Sequence, residues 1–241
     1  MTLLKYFCFQ FIFLAAAFLP GDSLMAEQNR WNVLHPDPTP VRRRVLITGC
    51  GRSGTTYTSQ ILCQCTPLQV LHEKIGDQGT CSWYMAADPF HVFDSGNFYS
   101  QKIIFKHIFH QVRHPLKVIT SALTLSASSW NYIRREIPEI KEKDSLTVMS
   151  AKYWYYWNLK AEEFAEWRYR IEDIDFEIDR MAQLLEISVD KTKMQMISKK
   201  TNTRNHPPYY TWSELKALIP EQLYLDILEM AHQYGYSTTD E

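Results

Sequence analysis

The residues whose types and spacing could do chemistry begin with Val45-Leu46-Ile47-Thr48-Gly49-Cys50-Gly51-Arg52-Ser53-Gly54-Thr55-Thr56-Tyr57. A short apolar run breaks into three glycines within six residues, and the following Thr-Thr-Tyr-Thr-Ser-Gln-Ile-Leu reads as a helix start. Strand, Gly-rich loop and helix N-terminus together make a cradle for phosphate. Glycines let the backbone turn its N–H groups onto an anion, and the helix dipole adds a favourable field. Gly51, Arg52, Ser53, Gly54, Thr55 and Thr56 are the candidates for that contact. The spacing departs from G-x-x-x-x-G-K-[ST]: Gly49, Gly54 and Thr56 fit, but Thr55 stands where the lysine belongs and the cation sits inside the loop, at Arg52. A loop without that lysine lacks the usual contact to the terminal phosphates of a nucleoside triphosphate.

A second stretch, Val112-Arg113-His114-Pro115-Leu116-Lys117-Val118-Ile119-Thr120-Ser121, ends a strand on an arginine, opens a helix on a proline, and places a serine eight residues after the arginine. Arg113 falls at the carboxyl end of its strand, the side on which open α/β sheets bind ligands. Ser121 lies two turns into the helix, where it can face the same crevice. A planar guanidinium grips phosphate oxygens bidentately and a serine hydroxyl adds one donor. Between the two stretches, the short strand Val70-Leu71 delivers His72-Glu73. Glu73 is the candidate general base and His72 its competitor. A carboxylate near pKa ~4.3 is a weak base, and packing beside Trp83 and the loop would raise it toward working pH.

The loop Gly-x-Gly-Arg-Ser-Gly-Thr-Thr resembles the 5′-phosphosulfate loop of sulfotransferases, which use 3′-phosphoadenosine 5′-phosphosulfate (PAPS) as sulfuryl donor. Arg113-x-Pro115-x-x-x-x-x-Ser121 resembles the 3′-phosphate motif of the same family. His72-Glu73 followed by Ser82-Trp83-Tyr84-Met85-Ala86 is similar to a microbial-type pattern of Gly-His-Glu and Ser-Trp-Leu-Ala, with Leu71 in place of the glycine and Tyr84-Met85 loosening the second part. Lys199-Lys200-Thr201-Asn202-Thr203-Arg204, leading to Thr211-Trp212, resembles the C-terminal nucleotide loop, and Glu172-Asp173 loosely matches a Tyr-Glu-Asp-Leu region whose acids are read as structural. The resemblance implies PAPS as cofactor and no metal. It implies Asn202 and Arg204 as further nucleotide contacts, Glu73, Arg52 and His72 as catalytic residues, and a hydroxyl acceptor on a small molecule or glycan. Two other readings stay open at this point: an atypical P-loop kinase or NTPase, and a non-catalytic module that keeps the nucleotide loop.

The chain that must position these residues has 241 residues, 45% hydrophobic and 14% aromatic, with a net charge of −1. That suits a globular domain and excludes nucleic-acid binding as the main function. Residues 1–26 hold one lysine, Lys5, then the apolar run Tyr6–Leu19, a Pro20-Gly21 break and a Ser23–Ala26 cleavage pattern. This reads as a signal peptide or a short membrane anchor, which implies the secretory pathway, with the Golgi lumen as the site in a eukaryote, or the cytoplasm if the leader is not functional. Residues 27–44 read as a linker and 45–241 as the sulfotransferase domain. Cys63-x-Cys65 has no downstream partner pair and is a poor zinc site. Cys50, Cys63, Cys65 and Cys81 make either two disulfides or small half-buried residues near the loop.

Periodicity predicts helices over 54–65, 115–127, 146–166, 178–185, 191–197, 212–218 and 221–234, and along the third of these Met149, Tyr153, Trp157, Ala161 and Phe164 recur at three and four, an aromatic stripe read as core. It predicts strands at 45–47, 70–71, 103–112 and 167–171. Residues 74–101 read as a loop-rich excursion with a short helix near 82–87, and 130–145 as a mobile connection. Strands alternating with helices imply a single α/β domain, a central parallel sheet flanked by helices in the P-loop-like architecture. If the strands at 45–47 and 70–71 are neighbours, Glu73 faces the reacting group.

Overall fold

Val45, Leu46 and Ile47 are wholly buried, as a strand covered on both faces requires. They form the centre of β1 (Val41–Thr48), which feeds the Gly-rich loop and then α1 (Thr55–Cys65). The computed structural model describes residues 40–94, 97–198 and 205–240, with the side chains of 92–101 outside that description. The leader reading for residues 1–26 and the expected nucleotide contacts Asn202 and Arg204 lie outside the described residues. Among the described residues no helix is long and apolar enough to cross a membrane.

The remaining elements are β2 (Val70–His72), β3 (Gly79–Cys81), a 3₁₀ turn at Tyr84–Ala86, β4 (His91–Asp94), β5 (Asn97–Val112), α2 (Pro115–Ala122), α3 (Ala127–Glu136), α4 (Leu146–Glu162), β6 (Trp167–Arg170), a second 3₁₀ turn at Ile171–Asp173, α5 (Ile174–Leu184), α6 (Lys191–Met196), α7 (Trp212–Leu218) and α8 (Glu221–Gln233). Five parallel strands run β2-β3-β1-β5-β6, and β4 pairs antiparallel with the first part of β5. One face of the sheet carries α2, α4 and α8, whose core includes Trp154, Trp157 and Tyr153. The other carries α1 and α5, packed on Val45, Ile47 and Phe109. The stripe expected of α4 is core at Met149, Tyr153, Trp157 and Ala161, while Phe164 falls past the helix end and is half-buried; Trp154 joins the core beside them, and Tyr153, Trp154 and Trp157 are each fully buried, about 4–6 kcal/mol apiece before the entropic cost.

Four expectations change. The sheet begins at Val41, inside the stretch read as linker. β2 is not the neighbour of β1, because β3 runs between them, pairing with both. Gly-Thr-Cys has no apolar pattern to announce a strand, and its glycine is required: a Cβ at Gly79 would fall 1.8 Å from the Val45 carbonyl oxygen. The helix expected over 115–127 stops at Ala122, and a new one, α3, replaces the first part of the expected mobile connection. Ser126 restarts it by accepting the Ser129 N–H, a side-chain N-cap. The rest of that connection is tied to α4, with Lys152 Nζ 2.6 Å from Asp144 Oδ2 and 2.8 Å from the Glu139 carbonyl. Of the two readings left open for the cysteines, the structure has the one without disulfides: Cys50, Cys63, Cys65 and Cys81 are free thiols, Cys63 half-buried and the others buried.

Candidate active site

The Gly-rich loop is shaped by backbone strain and then clamped. Gly49 has φ +151, and a Cβ there would lie 2.2 Å from the Gln111 carbonyl oxygen. Gly54, the N-cap of α1, is left-handed at φ 94. Arg52 is also left-handed, φ 76, without being glycine. Such a residue costs roughly 1–3 kcal/mol and persists where its surroundings over-determine it. The clamps come from both sides. Gly51 N–H donates to the Tyr153 hydroxyl at 2.6 Å, from α4. Gln111 Nε2 donates to the Ser53 carbonyl at 2.7 Å, from β5. Gln111 Oε1 in turn accepts from Thr58 Oγ1 at 2.6 Å and Tyr169 hydroxyl at 2.7 Å. Ser53 Oγ is buried and has no hydrogen-bond partner among the described residues.

The two arginine motifs meet at Arg52. Its Nε donates to Ser121 Oγ at 2.8 Å, and Arg113 Nη1 donates to its carbonyl at 2.9 Å. Pro115 at the start of α2 fixes the direction in which that helix leaves β5. Ser121, 2% exposed, is thereby carried back to the loop. The acids read as structural hold this corner. Glu172 accepts from the His114 N–H at 3.1 Å and from the Tyr236 hydroxyl at 2.9 Å, while Asp173 pairs with Arg170.

His72 and Glu73 close the site from β2. His72 Nε2 lies 3.2 Å from Thr55 Oγ1, 3.1 Å from Thr56 Oγ1 and 3.5 Å from Glu73 Oε1. Burial lowers the His72 pKa to about 4, so the ring is neutral at pH 7. Glu73 is left-handed, φ 53, with its N–H donated to the Cys81 carbonyl. That turn aims its carboxylate at the segment after β3, where Oε2 accepts from Ser82 Oγ at 2.6 Å and Oε1 from the Trp83 N–H at 3.1 Å. Burial raises the Glu73 pKa to about 7, against the downward pull of those two hydrogen bonds. β3 therefore does what adjacency of β2 to β1 was expected to do: it brings the carboxylate to the loop through Ser82-Trp83.

Arg52, Ser53, Gly54, Thr55, Thr56, Gly51, Arg113, Ser121, His72 and Glu73 thus share one end of the sheet, linked by the contacts above. The sequence reading does not foresee that Gln111 and Tyr153 clamp the loop or that Ser82 holds Glu73, although Tyr153 is read as core and Ser82 belongs to a quoted pattern. Only Gln111 leaves a signal, as an amide in the buried run Ile108-Phe109-His110-Gln111-Val112. Among the described residues no group of three or more His, Cys, Asp or Glu could hold a metal ion. No family model and no curated protein matches the chain. A solved sulfotransferase domain from the curacin biosynthetic pathway is similar to it over 83% of this chain and 99% of that one, with 11% identity and a TM-score of 0.48. At that identity it bears on no residue's role.

Proposed function

We propose that the chain is a sulfotransferase that moves the sulfuryl group of PAPS to a hydroxyl acceptor. The observation that carries the reading is the convergence on Arg52: one residue of the Gly-rich loop binds both halves of the Arg113–Ser121 motif, while the half-buried Glu73 carboxylate lies beside His72, which touches Thr55 and Thr56 after the same loop. The residues fit a bound nucleotide. Ser53 Oγ is a buried polar atom without a partner among the described residues, and the loop leads into the N-terminus of α1, whose dipole favours an anion.

When bound, PAPS would supply a sulfuryl group attached to a phosphate that leaves readily. Arg52, the amides after Gly54 and the Thr55 and Thr56 hydroxyls would hold its 5′ end and absorb charge on the bridging oxygen. Arg113 and Ser121 would hold the 3′-phosphate. Ser121 Oγ accepts from Arg52, which leaves its own proton to donate. Glu73 would take the proton of the acceptor hydroxyl; a base near pKa 7 is matched to neutral pH. His72, neutral and engaged with both threonine hydroxyls, would orient them rather than serve as the base. The leader reading makes the secretory pathway the proposed location.

The test is calorimetric titration with adenosine 3′,5′-bisphosphate and with ATP–magnesium, followed by single-turnover transfer from labelled PAPS. Tight bisphosphate binding with transfer supports the reading. Preference for ATP–magnesium would replace it with a kinase, and bisphosphate binding without any transfer would leave a binding module.

A further inference from the structure

We propose that the half-buried rings Trp83, Tyr84 and Tyr132 form the acceptor platform, and that it takes a hydroxyl carried on a flat aryl ring, a phenol, in preference to a sugar or an alkyl alcohol. The proposal rests on the donor reading above for the direction of transfer. Trp83 joins the platform to the chemistry on both sides. Its N–H holds Glu73 Oε1, and its indole lies against the loop, where a Cβ on Gly51 would meet the ring at 3.2 Å. The Tyr84 ring is 3.9 Å from that of Trp83, and the Tyr132 ring is 4.9 Å from Tyr84 and 5.8 Å from Trp83.

The polar edges of this wall are turned to protein partners. Tyr132 hydroxyl donates to the Tyr84 carbonyl at 3.0 Å, and the Tyr84 hydroxyl bonds Ser129. Ser126 Oγ is committed to capping α3, and Arg135, whose guanidinium lies 4.9 Å from the centre of the Tyr132 ring, pairs with Glu136 at 2.9 Å. What these half-buried side chains leave for a guest is the aromatic surface not covered by one another or by Arg135. A polyol needs several convergent donors and acceptors to replace its water, whereas an aryl ring needs faces for offset or edge contacts. The acid chemistry agrees. A phenol near pKa ~10 is far closer to the raised Glu73 carboxyl than an alkyl hydroxyl, which resembles water at about 15.7. In the transfer, the phenol oxygen forms the new O–S bond, the S–O bond to the donor phosphate breaks with its electron pair on the phosphate, and the phenol proton goes to Glu73.

The experiment is calorimetry of the full chain with 2-naphthol and with its saturated counterpart decahydro-2-naphthol, each with and without adenosine 3′,5′-bisphosphate. Naphthol should bind at least about tenfold tighter. Tyr132→Leu should weaken naphthol about 3- to 10-fold, as loss of one aromatic contact predicts, with bisphosphate affinity within twofold, and Tyr132→Phe should restore it. If Tyr132→Leu melts below the assay temperature, Tyr84→Leu carries the same expectation. Equal binding of the two alcohols, binding of neither, or an unchanged naphthol affinity in the leucine variants overturns the platform. Naphthol preference without any nucleotide binding upholds the platform and overturns the donor reading alone.

Discussion

The loop side of the site and the Glu73 side are built by different means. The loop is a rigid polar lattice: strained backbone at Gly49, Arg52 and Gly54, locked by Gln111 and Tyr153 from two elements that come much later in the chain. The Glu73 side rests on two three-residue strands and a single 3₁₀ turn, and its wall is ring against ring. The first arrangement suits a ligand of fixed charge geometry, since misplacing one amide loses a charge-assisted bond. The second suits a guest recognised by shape and apolar surface, because ring pairs prefer offset or edge-to-face contacts over charge.

The largest effect that would sharpen this contrast belongs to Glu73→Gln. Single-turnover transfer should fall about 10²–10⁴-fold, the contribution of a positioned base, with bisphosphate affinity within a few fold. Near-normal transfer would place the base elsewhere, and inactivity of His72→Asn instead would exchange the two roles. Next, Gln111→Leu leaves the Ser53 carbonyl, Thr58 hydroxyl and Tyr169 hydroxyl without their shared partner. A loss of about 3 kcal/mol should appear as a lower urea midpoint, with weaker bisphosphate binding. Unchanged binding would mean that the loop holds its shape unaided.

Arg52→Ala should cost roughly 1.5–3 kcal/mol of bisphosphate affinity, the range for hydrogen bonds to charged groups. Calorimetry showing full affinity would remove Arg52 from the site. The smallest effect is a pH signature. The folded Glu73 pKa of about 7 lies above the ordinary 4.5, so the folded state holds this proton more tightly than the unfolded chain. The stability it brings is complete below about 4.5 and is lost as pH rises through 7. The gain in Tm of Glu73→Gln over wild type should therefore grow from pH 4.5 to 7.5. His72, present in both proteins, works with the opposite sign: its lowered pKa gives stability that fades as pH falls from 6.5 through 4. A pH-independent gap would show that the carboxyl is not raised.

How much of this was legible depends on how local the determinants are. The loop and the Arg113–Ser121 stretch each complete their pattern within a dozen residues, so strand, turn and helix could be read directly. The α4 core stripe was legible for the same reason. β3 was not: Gly-Thr-Cys acquires strand geometry only between β1 and β2, through pairing that no local pattern encodes. α3 was hidden by its charge, since only Trp130 and Ile133 of its ten residues are buried. Tyr153 read correctly as core, yet nothing local reveals that its hydroxyl reaches Gly51, 102 positions earlier.

The left-handed backbone at Glu73 has an evolutionary consequence. A non-glycine residue held there costs about 1–2 kcal/mol relative to its relaxed state, and burial adds a further penalty once the carboxyl ionises. Glycine would remove both burdens, but it would also take the partner from the buried Ser82 hydroxyl and from the Trp83 N–H, and an unsatisfied buried donor costs roughly 1–3 kcal/mol. Relief and loss are of similar size, so the fold alone pulls little on this position. An exchange of Glu73 for glycine in a diverging lineage would therefore record a change of use rather than a change of stability.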